Sequence, residues 1–264
     1  MFAWIEMNGL SVGTVPALAA AAPRLRVLFS PRGGGVSAGP FASLNLGGAV
    51  GDSPRAVAEN RRRFLSAIGA DPRRIARCAQ VHGARIAAAS RGGVYERADG
   101  LVTAERDLGL VIGTADCFPV ILHSPSEMVC AALHAGRSGA AAGILERGIA
   151  LLLGRFRADP HNLIAVCGPG ICGRCYEVGR DEAMKFPAWA RRRSAGRWHI
   201  DLPLFIRRTV LAAGVREANW FDAGLCTSCS ADRCFSHRRD GGRTGRHWTV
   251  ATMTGGRSAA GRGR

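Results

Sequence analysis

Lysine is nearly missing from this 264-residue chain: Lys185 is the only one among 36 basic residues. The formal charge of +16 is therefore carried almost wholly by arginines scattered along the sequence. With aromatics at 6% there is no basic stripe interleaved with stacking rings, and no nucleic-acid motif. Nucleic acid is excluded as the main partner, and the arginine bias, with abundant Ala and Gly, reads as genomic base composition. The charge still favours anionic ligands. Long apolar runs are lacking too. The best candidate, Leu108 to His123, is broken by Asp116 and Pro119, short of the roughly 18 residues a membrane span needs. The triple glycine Gly33-Gly34-Gly35 lacks the Lys-Ser/Thr ending of a phosphate loop. A secretory leader is not expected either, because Met1 to Pro23 has no basic residue before its Ala-rich stretch and carries Glu6. The expected compartment is the cytoplasm, where the nine cysteines stay reduced.

What is present is an ordinary globular balance, 47% hydrophobic and 21% charged. Leu25–Ser30, Leu110–Thr114, Val120–Leu122, Val129–Leu133, Leu163–Cys167 and Trp248–Met253 read as strands. A helix is expected after Ser53, with Pro54 at its first position, Val57, Phe64, Leu65 and Ile68 on one face, and Gly69 as its stop. Ala140–Phe156 and Leu202–Ala213 read as two more helices. Interleaved helices and strands predict an α/β fold, a single mixed domain with layered sheets flanked by helices. The chain divides into an extension at 1–24, a domain at 25–254 and a basic, disordered tail at 255–264.

Polar groups sit where the buried runs stop. His82 lies in Gln80-Val81-His82-Gly83, Cys117 follows Asp116 between two apolar runs, and His134 ends a third. Two imidazoles and a thiolate supply three zinc ligands and leave a fourth position open, the pattern of a catalytic rather than a structural site. The spacings of 35 and 17 residues do not by themselves distinguish ligands from core or surface residues. Two CxxC pairs, Cys172/Cys175 and Cys226/Cys229, suit a closed structural zinc; read otherwise, they are scattered thiols. Cys78, Cys130 and Cys167 fall in apolar strands and are expected in the core. His123, His161, His199 and His247 show no ligand spacing.

These motifs occur in a familiar order. It runs from Phe29-Ser30-Pro31-Arg32-Gly33-Gly34-Gly35-Val36-Ser37 through Ser43-Leu44-Asn45-Leu46-Gly47 and Glu59-Asn60-Arg61 to Gln80-Val81-His82-Gly83. Ala98-Asp99-Gly100, Thr114-Ala115-Asp116-Cys117-Phe118-Pro119, His134-Ala135-Gly136, Tyr176-Glu177-Val178-Gly179 and Phe235-Ser236-His237-Arg238-Arg239-Asp240 follow. The succession resembles the laccase-domain family, also called the multicopper polyphenol oxidase or purine nucleoside phosphorylase family. The resemblance implies that His82, Cys117 and His134 bind zinc and carry the chemistry. It also singles out Arg61 as a phosphate clamp over its neighbours Arg62 and Arg63, which otherwise read as a solvated helix face. Asn45 and Ser37 read either as ligand-binding groups or as turn residues, and Asp116 either orients a ligand or caps a loop.

The implied reactions are phosphorolysis of adenosine, inosine and methylthioadenosine, and deamination of adenosine, by a monomer whose partners are purine nucleosides and phosphate. Three departures mark this chain. Arg137-Ser138-Gly139 follows Gly136 where the family usually has Trp-Arg-Gly, the cysteine of the Gly-Pro-Cys segment is displaced to Cys172, and His237 replaces a tyrosine. Other readings exist. A copper-dependent polyphenol oxidase shares the His2Cys ligand set, but seven histidines without a His-x-His pair are too few for several coppers. An amidase that edits peptidoglycan precursors would use Cys117 as nucleophile with His82 or His134 as base. A non-enzymatic binding module would keep the metal without turnover.

Overall fold

The computed structural model describes residues 2–255, so all of the expected basic tail except Gly255 lies outside the described residues. The long apolar runs form strands buried on both faces, which is why they lack polar alternation. In Phe118–Ser124, Val120 and Leu122 face one side while Ile121 faces the other. In Val129–Ala135, Ala131 and Leu133 oppose Cys130 and Ala132 in the same way.

Two sheets result. The seven-stranded sheet runs, edge to edge, Ala3–Met7, Leu10–Thr14, Leu25–Phe29, His247–Met253, Gly109–Thr114, Ile75–Ala79 and Gly93–Glu96. The six-stranded sheet runs Trp220–Asp222, Ile164–Cys167, Phe118–Ser124, Val129–Ala135, Gly100–Thr103 and Ile86–Ala88. They pack face to face over an apolar layer that includes Val27, Leu110, Ile112 and Ala251 from one and Leu101, Ile121, Cys130 and Val166 from the other. Helix Pro54–Ala67 covers the outer face of the first sheet, burying Phe64 and Leu65 against Leu28, Val111 and Val250. Helices Ile144–Phe156 and Leu202–Ala212 cover the outer face of the second. A three-stranded sheet, Glu177–Val178, Arg197–Ile200 and Arg191–Ser194, pairs with neither, and its Ile200 and Val178 pack into the core on the outer face of the second. The fold is mixed α/β, with layered sheets flanked by helices.

Helix boundaries follow local chemistry. Ser53 accepts the Ala56 N–H at 3.4 Å and Pro54 opens the first turn. Asp201 caps Leu202–Ala212 by accepting from Leu204 N at 3.1 Å. The helix expected over Ala140–Phe156 is corrected. A short helix spans Arg137–Ala141, Gly143 turns left-handed with φ 82°, and the long helix starts at Ile144. Glycine permits that break at little steric cost. Residues 1–24, read from the sequence as an extension, include a hairpin, Ala3–Met7 with Leu10–Thr14, that extends the first sheet beside Leu25–Phe29. Among the described residues no helix is long and apolar enough to cross a membrane.

Candidate metal centre and arginine-lined cleft

His82, Cys117 and His134 come together at the strand ends, with their ligand atoms all within 4.8 Å of one another. Each arrives by a different local device. Strand Ile75–Ala79 pairs in parallel with Gly109–Thr114. Past its end, the Gln80 amide takes over the ladder by accepting from Gly113 N at 2.8 Å and donating to Gly113 O at 2.9 Å. The backbone then turns away, with His82 left-handed at φ 61°. That conformation is uncommon for a residue with a side chain, and the Asp99 carboxylate holds it. Asp99 accepts N–H groups from His82 at 2.8 Å, Gly83 at 2.8 Å and Val81 at 3.1 Å.

Cys117 follows a tight turn in which Asp116 has φ 91°. Asp116 accepts from Thr227 Oγ1 at 2.7 Å and from Arg238 N at 2.6 Å, so it ties two distant loops to the turn. His134 sits one residue from the end of its strand, opposite Pro119, which brings it beside Cys117. Its Nδ1 donates to Asp99 Oδ1 at 2.9 Å. This fixes the tautomer and leaves Nε2 free to face the cysteine, the arrangement that orients a metal-binding imidazole. Gly136 completes the cradle. A Cβ there would stand 2.7 Å from Cys117 Sγ and 3.7 Å from His134 Nε2.

The donor set therefore fits a tetrahedral cation. Two nitrogens and a sulfur converge, the buried His134 is held from behind by a carboxylate, and a cleft leaves room for a fourth ligand. The electrostatics agree. Burial alone would raise the Cys117 thiol, but the charge of His134 and hydrogen bonds from both imidazoles bring it down to about 6. Burial would lower His134, but the Cys117 thiolate and the Asp99 carboxylate carry it up to about 9. Asp99 is fully buried, which opposes ionisation, yet His134 and the N–H groups of Gly83 and Val81 keep it below its ordinary value.

A measurement follows for metal-stripped protein. Alkylation of Cys117, read by peptide mass spectrometry, should climb with pH and reach half its plateau near pH 6. An ordinary thiol does so at about 8.5. Below the folded pKa the sulfur is protonated and the rate falls. A midpoint above 8 would show that no imidazolium faces the sulfur.

The triad opens into a cleft of about 930 Å³ that is also lined by Arg61, Arg77, Arg97, Arg137, Arg238 and Arg246, with Tyr176 and His237. Arg61 donates from Nε to Leu46 O at 2.9 Å and lies over the Trp248 ring, 4.9 Å from its centroid. Burial and the neighbouring Arg77 lower it to about 10, so it stays charged at neutral pH. Arg62 and Arg63 instead pair with Glu59 on the surface, each at 2.8 Å. Ser37 and Asn45 do not line the cleft. Both donate to Asp52 Oδ2, at 2.6 and 2.8 Å, and Asn60 donates to Ser37 Oγ at 2.8 Å and to Asn45 O at 2.9 Å. Asn45 also accepts from Gly47 N and Arg246 N, at 2.9 and 2.8 Å, which holds two cleft-lining segments together.

Of the remaining histidines, His247 is tied by Ser30 O at 2.9 Å and Phe235 N at 2.7 Å, and His123 donates to Val129 O at 2.9 Å. Asp99, Gly136 and Arg77 escape sequence reasoning. Asp99 falls within a recognised motif, but an Asp-Gly pair ordinarily marks an exposed turn.

The same architecture occurs in known proteins. A family model described as multi-copper polyphenol oxidoreductase laccase matches residues 26–254. The chain is 44% identical over 236 residues to a protein of Deinococcus radiodurans named purine nucleoside phosphorylase, covering 87% of this chain and 90% of that one. It is 40% identical to a Streptomyces coelicolor protein of the same name, covering 80% and 89%. The crystal structure of YlmD from Geobacillus stearothermophilus superposes with a TM-score of 0.85 at 32% identity, covering 89% and 94%. YfiH from Bacillus licheniformis superposes with 0.83 at 29% identity, covering 88% and 94%. The ordered motifs, the layered sheets and these matches lead to one assignment: the chain belongs to the multi-copper polyphenol oxidoreductase laccase family.

Proposed function

We propose that the chain is a zinc-dependent purine nucleoside phosphorylase acting on adenosine, inosine and methylthioadenosine, with adenosine deamination as a second reaction of the same cleft. One observation carries the reading. A metal-ready His2Cys set and a group of arginines share a single cleft, and the named relatives give the chemistry such a cleft would perform. Phosphorolysis needs a bound anion beside a bound nucleoside. A phosphate oxygen forms a bond to C1′ of the ribose as the bond to the purine nitrogen breaks, and the leaving base takes up a proton.

Arg61 and Arg77 suit the anion. Among the described residues neither forms a salt bridge, and Arg61 is already desolvated on the Trp248 face, so a phosphate meets a pre-positioned guanidinium. Ser37 and Asn45 act in this reading through the loops they hold, because their hydrogen bonds set the segments carrying Gly47 and Arg246. Zinc held by His82, Cys117 and His134 supplies Lewis-acid polarisation of a ligand atom. Zinc is favoured over several coppers because, among the described residues, only one cluster contains histidine. The amidase reading competes for the same sulfur: a metal-bound Cys117 is not free to act as a nucleophile.

The test is chromatography of adenosine incubated with zinc-loaded protein, with and without phosphate, beside Cys117→Ala. Adenine release that depends on phosphate, lost at least about 10³-fold in the variant, is the expected result. Inosine formation without phosphate would mark the deaminase reaction. Absence of turnover in both conditions would overturn the reading and bring the amidase forward.

A further inference from the structure

A second group of four side chains converges away from the His2Cys centre. Cys172 and Cys175 lie on the loop after strand Ile164–Cys167, and Cys226 and Cys229 on the loop after Trp220–Asp222. Fifty residues separate the two pairs in sequence, yet the four sulfurs lie within 4.8 Å of one another. Cys175 and Cys229 sulfurs are 3.4 Å apart. Around a tetrahedral zinc with Zn–S bonds of about 2.3 Å, sulfurs are spaced at ~3.8 Å.

Three further observations separate these residues from stray thiols. Cys78, Cys130 and Cys167 belong to apolar clusters, whereas these four sit outside them and are half-buried or exposed. Backbone N–H groups face two of the sulfurs: Cys172 N donates to Cys226 Sγ at 3.3 Å, and those of Arg174 and Cys175 help to hold the Cys172 thiol below its ordinary value against burial. Amide donors directed at sulfur stabilise thiolate, the form that binds metal. The two loops are also joined by backbone bonds, Gly170 N to Leu225 O at 3.2 Å and Thr227 N to Gly170 O at 3.1 Å. The cage is preformed.

We propose that Cys172, Cys175, Cys226 and Cys229 bind a second zinc ion in a closed, four-thiolate structural site. Its place gives it a task. The first loop carries Ile171 and Tyr176, which line the cleft, and the second carries Thr227, which donates to Asp116 beside Cys117. The ion staples the two loops that form one wall of the cleft and support the turn bearing the catalytic-site cysteine. The proposal does not depend on the reaction performed in that cleft.

Metal counting tests it. Protein expressed with zinc and purified under reducing conditions should hold two zinc ions per chain, and Cys117→Ala one. Cys175→Ser/Cys229→Ser should also hold one. Should that double variant fail to fold, cobalt exchanged into Cys117→Ala gives an independent readout. Four thiolates around cobalt produce intense tetrahedral d–d bands with strong thiolate-to-metal charge-transfer absorption, and Ellman's reagent should then find these thiols protected by the metal. One zinc in the wild type with none in Cys117→Ala overturns the proposal. So does a Cys175–Cys229 disulfide in the reduced preparation, or iron counted in place of the second zinc.

Discussion

Asp99→Ala is expected to weaken metal binding by about 10- to 100-fold and to destabilise the fold by about 3–5 kcal/mol. Both effects have one origin. The carboxylate accepts four hydrogen bonds with no exposure to water: His82 N and His134 Nδ1 on Oδ1, and Val81 N and Gly83 N on Oδ2. Alanine leaves these donors without their acceptor, and the penalty is the desolvation of each group rather than the modest net worth of a bond. The left-handed His82 loses its restraint and His134 loses the partner that fixes its tautomer, so two of the three proposed ligands are freed together. Asn offers no rescue, since in either orientation its NH2 would face an N–H donor where only acceptors fit. Urea denaturation and zinc competition against a chelator measure the two losses. An Asp99→Ala protein within 1 kcal/mol of the wild type would show that the loop is held by other contacts.

The contrast between Asp99 and the three candidate ligands shows what a sequence displays. His82, Cys117 and His134 stand out because each interrupts or ends a run of apolar residues, and a polar group at the tip of a buried strand is conspicuous. Ser53-Pro54 and Asp201 announce their helices for similar local reasons, since a cap satisfies donors only two or three residues away. Asp99 satisfies groups 16 to 18 residues upstream and 35 downstream, and nothing near it in the chain indicates burial. Ser37 and Asn45 read equally as ligand groups or turn residues because their partners Asp52 and Asn60 are also distant in sequence. The edge strands were hidden for another reason. Arg191–Ser194 is arginine-rich and mostly exposed, and its hydrogen bonds depend on Arg197–Ile200 rather than on any apolar pattern of its own. The helix boundary at Ile144 depends on the sign of one backbone angle at Gly143, which composition does not encode.

Gly136→Ala is expected to lower kcat/KM by about 10²-fold while leaving the fold within about 1 kcal/mol of the wild type. The backbone at this position is extended, φ −85° and ψ 172°, which alanine adopts freely, so only the space in front of the added methyl matters. That space is filled by Cys117 Sγ at 2.7 Å, closer than any real contact of a Cβ carbon. The sulfur has to retreat by roughly 1 Å to reach van der Waals distance. It cannot do so and still meet the nitrogens of His82 and His134 at the proposed shared ion, because Zn–S and Zn–N bonds there would tolerate deviations of only about 0.2 Å. The variant would thus damage the proposed metal centre without removing a ligand, the reverse of Asp99→Ala, where stability and metal binding fall together. Chelator competition and steady-state kinetics with adenosine and phosphate measure the outcome beside a urea denaturation curve. Wild-type zinc affinity in a folded Gly136→Ala protein would mean that Cys117 is not a ligand, and would return its thiolate to the role of nucleophile.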